Sequence, residues 1–257
     1  MDKDIRILII PDVHGREFWR EPVKEVLEKT DAKIIFLGDY LDCYPNEFKY
    51  GFDFKEHAIN NFNEIINLKK ENKDRITLLL GNHDLGYRFD LCICDCRTDY
   101  HNYERIRNIF IENKDLFQLA DEEYVEDKHY IFSHAGIHKG YVKYAFHEEF
   151  DSITEENVVD YFNNAYLTEE PHVINSLCMF DKYRGYGAYD YGSIVWADIH
   201  SWLKDDYDGY AYNVVGHTQL KHGCGGIITD KVADLDCAQA FIINELGEIK
   251  PFDDKNE

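Results

Sequence analysis

The chain has 257 residues, 44% hydrophobic and 30% charged, the make-up of a folded globular protein with a sizeable core. Against 28 Lys and Arg stand 50 Asp and Glu, a net charge of −22. So acidic a surface repels nucleic-acid backbones and anionic membranes, and a phosphate-handling enzyme of this charge needs local positive charge that a bound metal can supply.

Ile5 to Ile10 is an apolar run ending at Pro11, the pattern of a strand buried on both faces. Glu21 to Lys29 places Val23, Val26 and Leu27 at helical spacing, and Pro22 suits a first helical turn. Lys33 to Leu37 predicts a second strand, stopped by Gly38. His57 to Lys70 predicts a second helix, with Ile59, Phe62, Ile65, Ile66 and Leu68 mostly on one side. Arg75 to Leu80 predicts a third strand, stopped by Gly81. The order β-α-β-α-β implies parallel strands joined by right-handed crossovers.

The second half has a different rhythm. Tyr130 to Phe132 and Asn213 to Val215 are short strand-like runs. Residues from about 139 to 164 predict helix, and Phe180 to Gly192 predicts a loop rich in Tyr and Gly. Tyr183, Tyr186, Tyr189 and Tyr191 in that loop either rim a substrate pocket or pack on the protein's own surface. Gly226 to Lys250 predicts short strands, with a hairpin turn at Glu245 to Glu248. Together these predict an α/β fold with mixed sheets, one domain over residues 1–257, and a helical and loop insertion over roughly 139–192.

No stretch approaches 18 apolar residues, so no membrane span is expected, and the N-terminus lacks the pattern of a signal peptide. Seven Cys without a secretory signal predict reduced thiols and a cytoplasmic setting. Cys92, Cys94 and Cys96 (C-I-C-D-C) match no common zinc spacing and read as small, partly buried side chains.

Five strand-like runs stop at polar residues able to bind metal. They are Asp12-Val13-His14-Gly15, Gly38-Asp39-Tyr40-Leu41-Asp42, Gly81-Asn82-His83-Asp84, Ser133-His134-Ala135-Gly136 and Gly216-His217-Thr218-Gln219. In open α/β sheets ligands bind beyond the carboxyl ends of the strands, so five such loops can converge on one site. Each motif alone is weak, because a lone Asp or His after a strand is more often structural. Their joint occurrence in this order is specific.

These five segments resemble the motifs of the calcineurin-like metallophosphoesterases, over roughly Ile5 to Gly247. Ser133-His134-Ala135-Gly136 and Ile194-Val195-Trp196-Ala197-Asp198 look closest to the branch holding serine/threonine phosphoprotein phosphatases and symmetrical diadenosine tetraphosphatases. The resemblance implies a β-sandwich of mixed sheets flanked by helices (α-β-β-α) and two divalent metal ions. Asp12 and His14 would hold the first ion and Asp39 would bridge both. Asn82, His134 and His217 would hold the second. This oxygen and nitrogen set suits Mn, Fe or Zn. Paired ions of this kind turn a bound water into a hydroxide nucleophile and clamp the phosphoryl oxygens. His83 would protonate the leaving oxygen as general acid, with Asp42 orienting it and keeping it charged.

Two departures from the family pattern stand out. The phosphatases usually carry a phosphate-gripping Arg directly after the second Asp of the second motif, where this chain has Cys43. A second family Arg should follow the tryptophan-aspartate segment, but between Asp198 and His217 the only cation is Lys204. Arg184 is the first candidate replacement and Arg97 the second. Gln219 stands where the wider superfamily often has a further His ligand, and it reads as a non-ligand.

The expected function is a dinuclear-metal phosphoesterase hydrolysing phosphate monoesters or phosphoanhydrides of a small molecule, nucleotide or phosphoprotein. A dinucleoside polyphosphate hydrolase or phosphodiesterase of the same superfamily is the alternative. A non-catalytic scaffold of this fold is disfavoured, because all six ligand positions, His83 and Asp42 are present.

Overall fold

The computed structural model describes residues 5–91, 96–185, 187–204 and 208–252. Cys92, Cys94 and Tyr186 lie outside the described residues. The first half runs β1 (Ile5–Ile10), α1 (Arg20–Lys29), β2 (Lys33–Phe36), α2 (Phe54–Glu71), β3 (Ile76–Leu79), α3 (Asn82–Phe89), α4 (Tyr103–Glu112) and β4 (Phe117–Gln118). Next come β5 (Ala120–Val125), β6 (Lys128–Ser133), α5 (Lys139–Ala145), α6 (Val158–Thr168), α7 (Pro171–Ser176) and α8 (Ile199–Trp202). The chain closes with β7 (Tyr212–Val215), β8 (Ile227–Ile228), β9 (Val232–Asp234), β10 (Phe241–Asn244) and β11 (Ile249–Pro251).

Two mixed sheets form. One has the order β11-β10-β1-β2-β3-β4 and the other β5-β6-β7-β9-β8. β1, β2, β3 and β4 pair in parallel in the first, and β6, β7 and β9 in the second. β10 and β5 add antiparallel neighbours. The expected sandwich of mixed sheets flanked by helices is what forms.

The side-chain period of a strand decides which layer each residue joins. Ile7, Ile9, Ile35 and Leu37 pack with Phe132, Val214 and Phe241 between the sheets. Their alternates Leu8, Ile10, Ile34 and Phe36 pack with Val23, Val26, Ile59 and Phe62 of the covering helices. That is why β1 and β2 read as unbroken apolar runs. Asp53 caps α2 by accepting from the Glu56 N–H at 3.1 Å.

Two expectations need correction, and one strand is new. The helix expected near 139–164 is two helices, α5 and α6. Between them Thr154 N–H donates to Asn157 Oδ1 at 2.8 Å, and Asn157 Nδ2 donates to Ser152 O at 2.9 Å, closing a turn where helix was expected. β5 was not expected, because its sequence Ala-Asp-Glu-Glu-Tyr-Val is acidic. It is an edge strand, and Lys33 pairs with Asp121 and Glu123 along it at 2.6 and 2.7 Å. Cys43, Cys96, Cys224 and Cys237 are free thiols, but Cys178 is disulfide-bonded. No helix of the described residues is long and apolar enough to cross a membrane.

Candidate metal centre

Loops from both sheets meet at one point. Asp12 and His14 follow β1, Asp39 and Asp42 follow β2, and Asn82 and His83 open α3. His134 follows β6 and His217 follows β7. All six candidate ligands are 8% exposed or less. His14, Asp39, Asp42 and His217 adopt positive φ (46°, 53°, 56° and 71°), half of the eight non-glycine cases among the described residues. Such backbone costs ~1–3 kcal/mol per residue and gathers at functional sites. Two glycines permit the approach of neighbouring strand ends. A Cβ on Gly81 would stand 2.1 Å from Asp39 Oδ1, and one on Gly216 would stand 2.0 Å from Asp12 Oδ2.

The hydrogen bonds fix where lone pairs point. His14 Nδ1 donates to Leu41 O at 2.9 Å, and His134 Nδ1 donates to Leu37 O at 2.8 Å. Each ring then offers an Nε2 lone pair to the interior. Asp39 Oδ2 lies 3.5 Å from both of those Nε2 atoms, a bridging position. His134 Nε2 also lies 2.9 Å from Asn82 Oδ1, 3.1 Å from His217 Nδ1 and 3.9 Å from Asp12 Oδ1. Asp12 accepts the His217 backbone N–H at 3.0 Å on each oxygen, joining the two sheets.

Acceptors facing each other with no proton between them call for a cation. Two groups of possible ligand atoms lie within 4.8 Å of one another, His14-Asp39-His83 and Asp12-Asp39-His134, and they share Asp39. His217 Nε2 is buried with no hydrogen-bond partner among the described residues. The donor set is oxygen and imidazole nitrogen, which fits divalent metal ions.

The electrostatics agree. Burial pushes the Asp39 carboxyl up, but His134, His83 and the bond from the His83 backbone N–H outweigh it and hold it at about 2. Burial pushes the His14 and His217 imidazoles well below their usual range, which keeps them neutral. Burial also raises the Asp12 carboxyl, and the neighbouring Asp39 adds to that.

His83 sits in the first group by distance, but its Nδ1 is committed to Asp42 Oδ2 at 2.7 Å. The other Asp42 oxygen accepts the Tyr87 hydroxyl, which itself accepts the Asp99 N–H at 2.7 Å. Burial opposes charge on His83, yet Asp39 and the Asp42 hydrogen bond prevail and raise it well above the usual range.

The two candidate arginines lie on different sides. Arg184 is ion-paired to Asp198 at 2.7 Å and donates to Thr218 Oγ1 at 2.6 Å. Arg97 donates from Nε to Asp42 O at 3.0 Å, and its Nη2 lies 3.4 Å from His14 Nδ1. Arg97 has no carboxylate partner among the described residues. Cys43 is buried, its thiol pushed up to about 12 by burial, and it lines a cavity of about 170 Å³ with Leu41, Phe54, Ala58 and Arg97. Gln219 is exposed, as a non-ligand should be.

Several functional neighbours escaped the sequence reading. Asp84 accepts the backbone N–H groups of Gly81, Asp39 and Tyr40 at 2.8, 2.7 and 3.2 Å, clamping two motif loops together. Its place in Gly81-Asn82-His83-Asp84 was the available signal. Cys96 Sγ accepts from Asn82 Nδ2 at 3.6 Å, which turns the amide oxygen toward His134. A sixth strand end carries Asp234 and Asp236, both buried, and burial with repulsion from Asp12 raises Asp236 well above the carboxylate range. Its signal was the repeat Asp-Leu-Asp closing an apolar run.

A family model described as calcineurin-like phosphoesterase matches residues 5–236. A probable serine/threonine-protein phosphatase of Encephalitozoon cuniculi is 24% identical over 148 residues, which are 53% of this chain. The chain spans 28% of the length of that relative. The solved structure of a serine/threonine phosphatase from Saccharomyces cerevisiae, described as similar to human phosphatase PP5, has a TM-score of 0.54 at 13% identity. That likeness covers 99% of this chain and 82% of the other, and it concerns the fold.

Proposed function

The chain belongs to the calcineurin-like phosphoesterase family, and from that premise we propose a phosphomonoesterase that works with two divalent ions, Mn, Fe or Zn. The observation that carries this reading is the Asp39 Oδ2 atom, 3.5 Å from two imidazole nitrogens of opposite sheets. Asp12, His14 and Asp39 would hold one ion, and Asp39, Asn82, His134 and His217 the other. When bound, such ions supply Lewis acidity, lower the pKa of water and neutralise charge growing on the phosphoryl oxygens.

The chain's own residues do the rest. Arg97, free of any carboxylate among the described residues and reaching the His14 ring, grips a phosphoryl oxygen. Arg184 is the weaker candidate, since Asp198 already neutralises it. Asp42 fixes the His83 ring orientation and keeps it protonated, so that His83 Nε2 can deliver a proton to the departing oxygen. The substrate is a phosphorylated protein side chain or small molecule. The phosphatase relatives support that class by family likeness alone.

The test is hydrolysis by metal-free protein titrated with Mn²⁺, Fe²⁺ or Zn²⁺. A panel of phosphopeptides, glycerol phosphate, mononucleotides, diadenosine tetraphosphate and bis-p-nitrophenyl phosphate would be compared. Preference for monoesters at two ions per chain supports the reading. Preference for diadenosine tetraphosphate or the diester replaces it with the alternative hydrolase, and inactivity at full metal loading replaces it with a scaffold.

A further inference from the structure

The Arg97 guanidinium lies face-on over the Tyr44 ring, with its central carbon 3.6 Å from the ring centroid. The same ring packs nearly perpendicular to the His14 imidazole, at 81° with centroids 5.1 Å apart. A second guanidinium, Arg16, approaches Tyr44 at 5.1 Å. Arg16 is neutralised by Glu47 through two bonds of 2.8 and 2.9 Å, whereas Arg97 keeps its charge unpaired by any carboxylate among the described residues. Tyr44 is half-buried and followed by Pro45, which opens a single 3-10 turn, Pro45–Glu47. The Pro ring fixes that backbone, and Glu47 ties it to Arg16.

We infer that Tyr44 is the positioning residue for Arg97, holding its guanidinium against the metal group as a binding surface for a phosphoryl dianion. This rests on the reading of Arg97 given above. Among the described residues the one short bond of Arg97 runs from its Nε to the Asp42 carbonyl at 3.0 Å, and with Nη2 no closer than 3.4 Å to His14 Nδ1 the other end of the guanidinium keeps freedom. The aromatic face removes that freedom without neutralising the charge. A carboxylate in the same place would hold Arg97 equally well and abolish its use. The segment thus supplies at positions 44 and 97 what Cys43, buried beside its cavity, cannot.

The contribution sits in the ring, not the hydroxyl. Tyr44→Phe should therefore stay within about twofold of wild type in KM, kcat and phosphate affinity. Tyr44→Leu should weaken anion binding roughly five- to thirtyfold, the worth of a partly desolvated cation–π contact. The loss should appear in KM for p-nitrophenyl phosphate, with kcat changed much less. It should appear equally in the Kd of inorganic phosphate, measured by titration calorimetry on Mn²⁺-loaded protein. Arg97→Ala should give the same loss, and Tyr44→Leu/Arg97→Ala should be little worse than Arg97→Ala alone.

Equal damage from Tyr44→Phe, or losses that add in the double variant, would overturn the positioning role. Unchanged phosphate binding in Arg97→Ala would instead remove the reading of Arg97 as the clamp. Should Tyr44→Leu fail to fold by thermal melting, Tyr44→Met carries the same expectation.

Discussion

His83 Nδ1 lies 2.7 Å from Asp42 Oδ2 with both side chains buried, so the imidazole is oriented by a carboxylate that has no competing cation among the described residues. Tyr87 donates its hydroxyl to the second oxygen of Asp42, so both carboxylate oxygens have a partner.

That pair predicts a dependence on the leaving group. Alkyl phosphates depart as strongly basic alkoxides, and a positioned acid contributes ~10²–10⁴ in rate. Nitrophenolate departs without help. His83→Asn should slow glycerol phosphate or phosphoserine-peptide hydrolysis much more than p-nitrophenyl phosphate hydrolysis. Asp42→Asn should do so more weakly, and the double variant should barely exceed His83→Asn. Kinetics on both substrate types check this, and equal losses on both would contradict the assigned role.

Asp39→Asn should remove turnover and lower metal content. One amide oxygen cannot balance two divalent ions in a buried site. Elemental analysis finding two ions per chain, together with near-wild-type turnover, would dispose of the shared-carboxylate arrangement.

Gly81→Ala should mimic Asp39→Asn without touching a donor atom. The added methyl would stand 2.1 Å from Asp39 Oδ1 and 2.8 Å from its backbone nitrogen, so the carboxylate must move. The expected result is weaker metal binding in a Mn²⁺ titration, with folding retained by circular dichroism. Wild-type affinity would show that the loop absorbs the methyl.

Restoring the family arginine at position 43 should fail. Cys43 is buried, and its sulfur stands 2.3 Å from where a Cβ on Gly15 would be. Cys43→Arg must force a charged side chain into that space, and overpacking alone costs roughly 1–3 kcal/mol. A lower urea midpoint without a lower KM is expected. An unchanged midpoint with tighter phosphate binding would mean that position 43 still reaches the substrate.

Much of this was legible in sequence, for a physical reason. Backbone geometry at the end of a parallel strand demands short polar motifs with glycine, and the metal demands Asp, His and Asn there. Both demands print onto consecutive residues, so Asp12, His14, Asp39, Asn82, His134 and His217 could be named and are found together. Contacts across loops leave no such trace. Arg97 follows a cysteine cluster without a motif, Tyr44 follows the break in one, and nothing local ties either to the other. Cys96 was read as a small filler, yet its partner is the Asn82 amide, fourteen positions back. The helix expected over 139–164 failed because Asn157 bonds back onto the chain, which periodicity does not register.

Asp12 and Asp39 hang from one sheet and His134 and His217 from the other, with their lone pairs crossing the gap between. Any ion seated there is a keystone between two halves of the sandwich. Without it, the facing lone pairs of Asp39 and His134 have no cation between them, and the Asp12 bonds to the His217 N–H are left to hold that edge. Seating free energy then becomes folding free energy, about 2.7 kcal/mol when free metal exceeds its Kd a hundredfold. With the ions bound as proposed, the melting temperature would depend on the buffer as much as on the chain. A preparation passed through chelator would be softer at the sheet junction, and its resistance to protease and heat would return with the ion before any substrate is added.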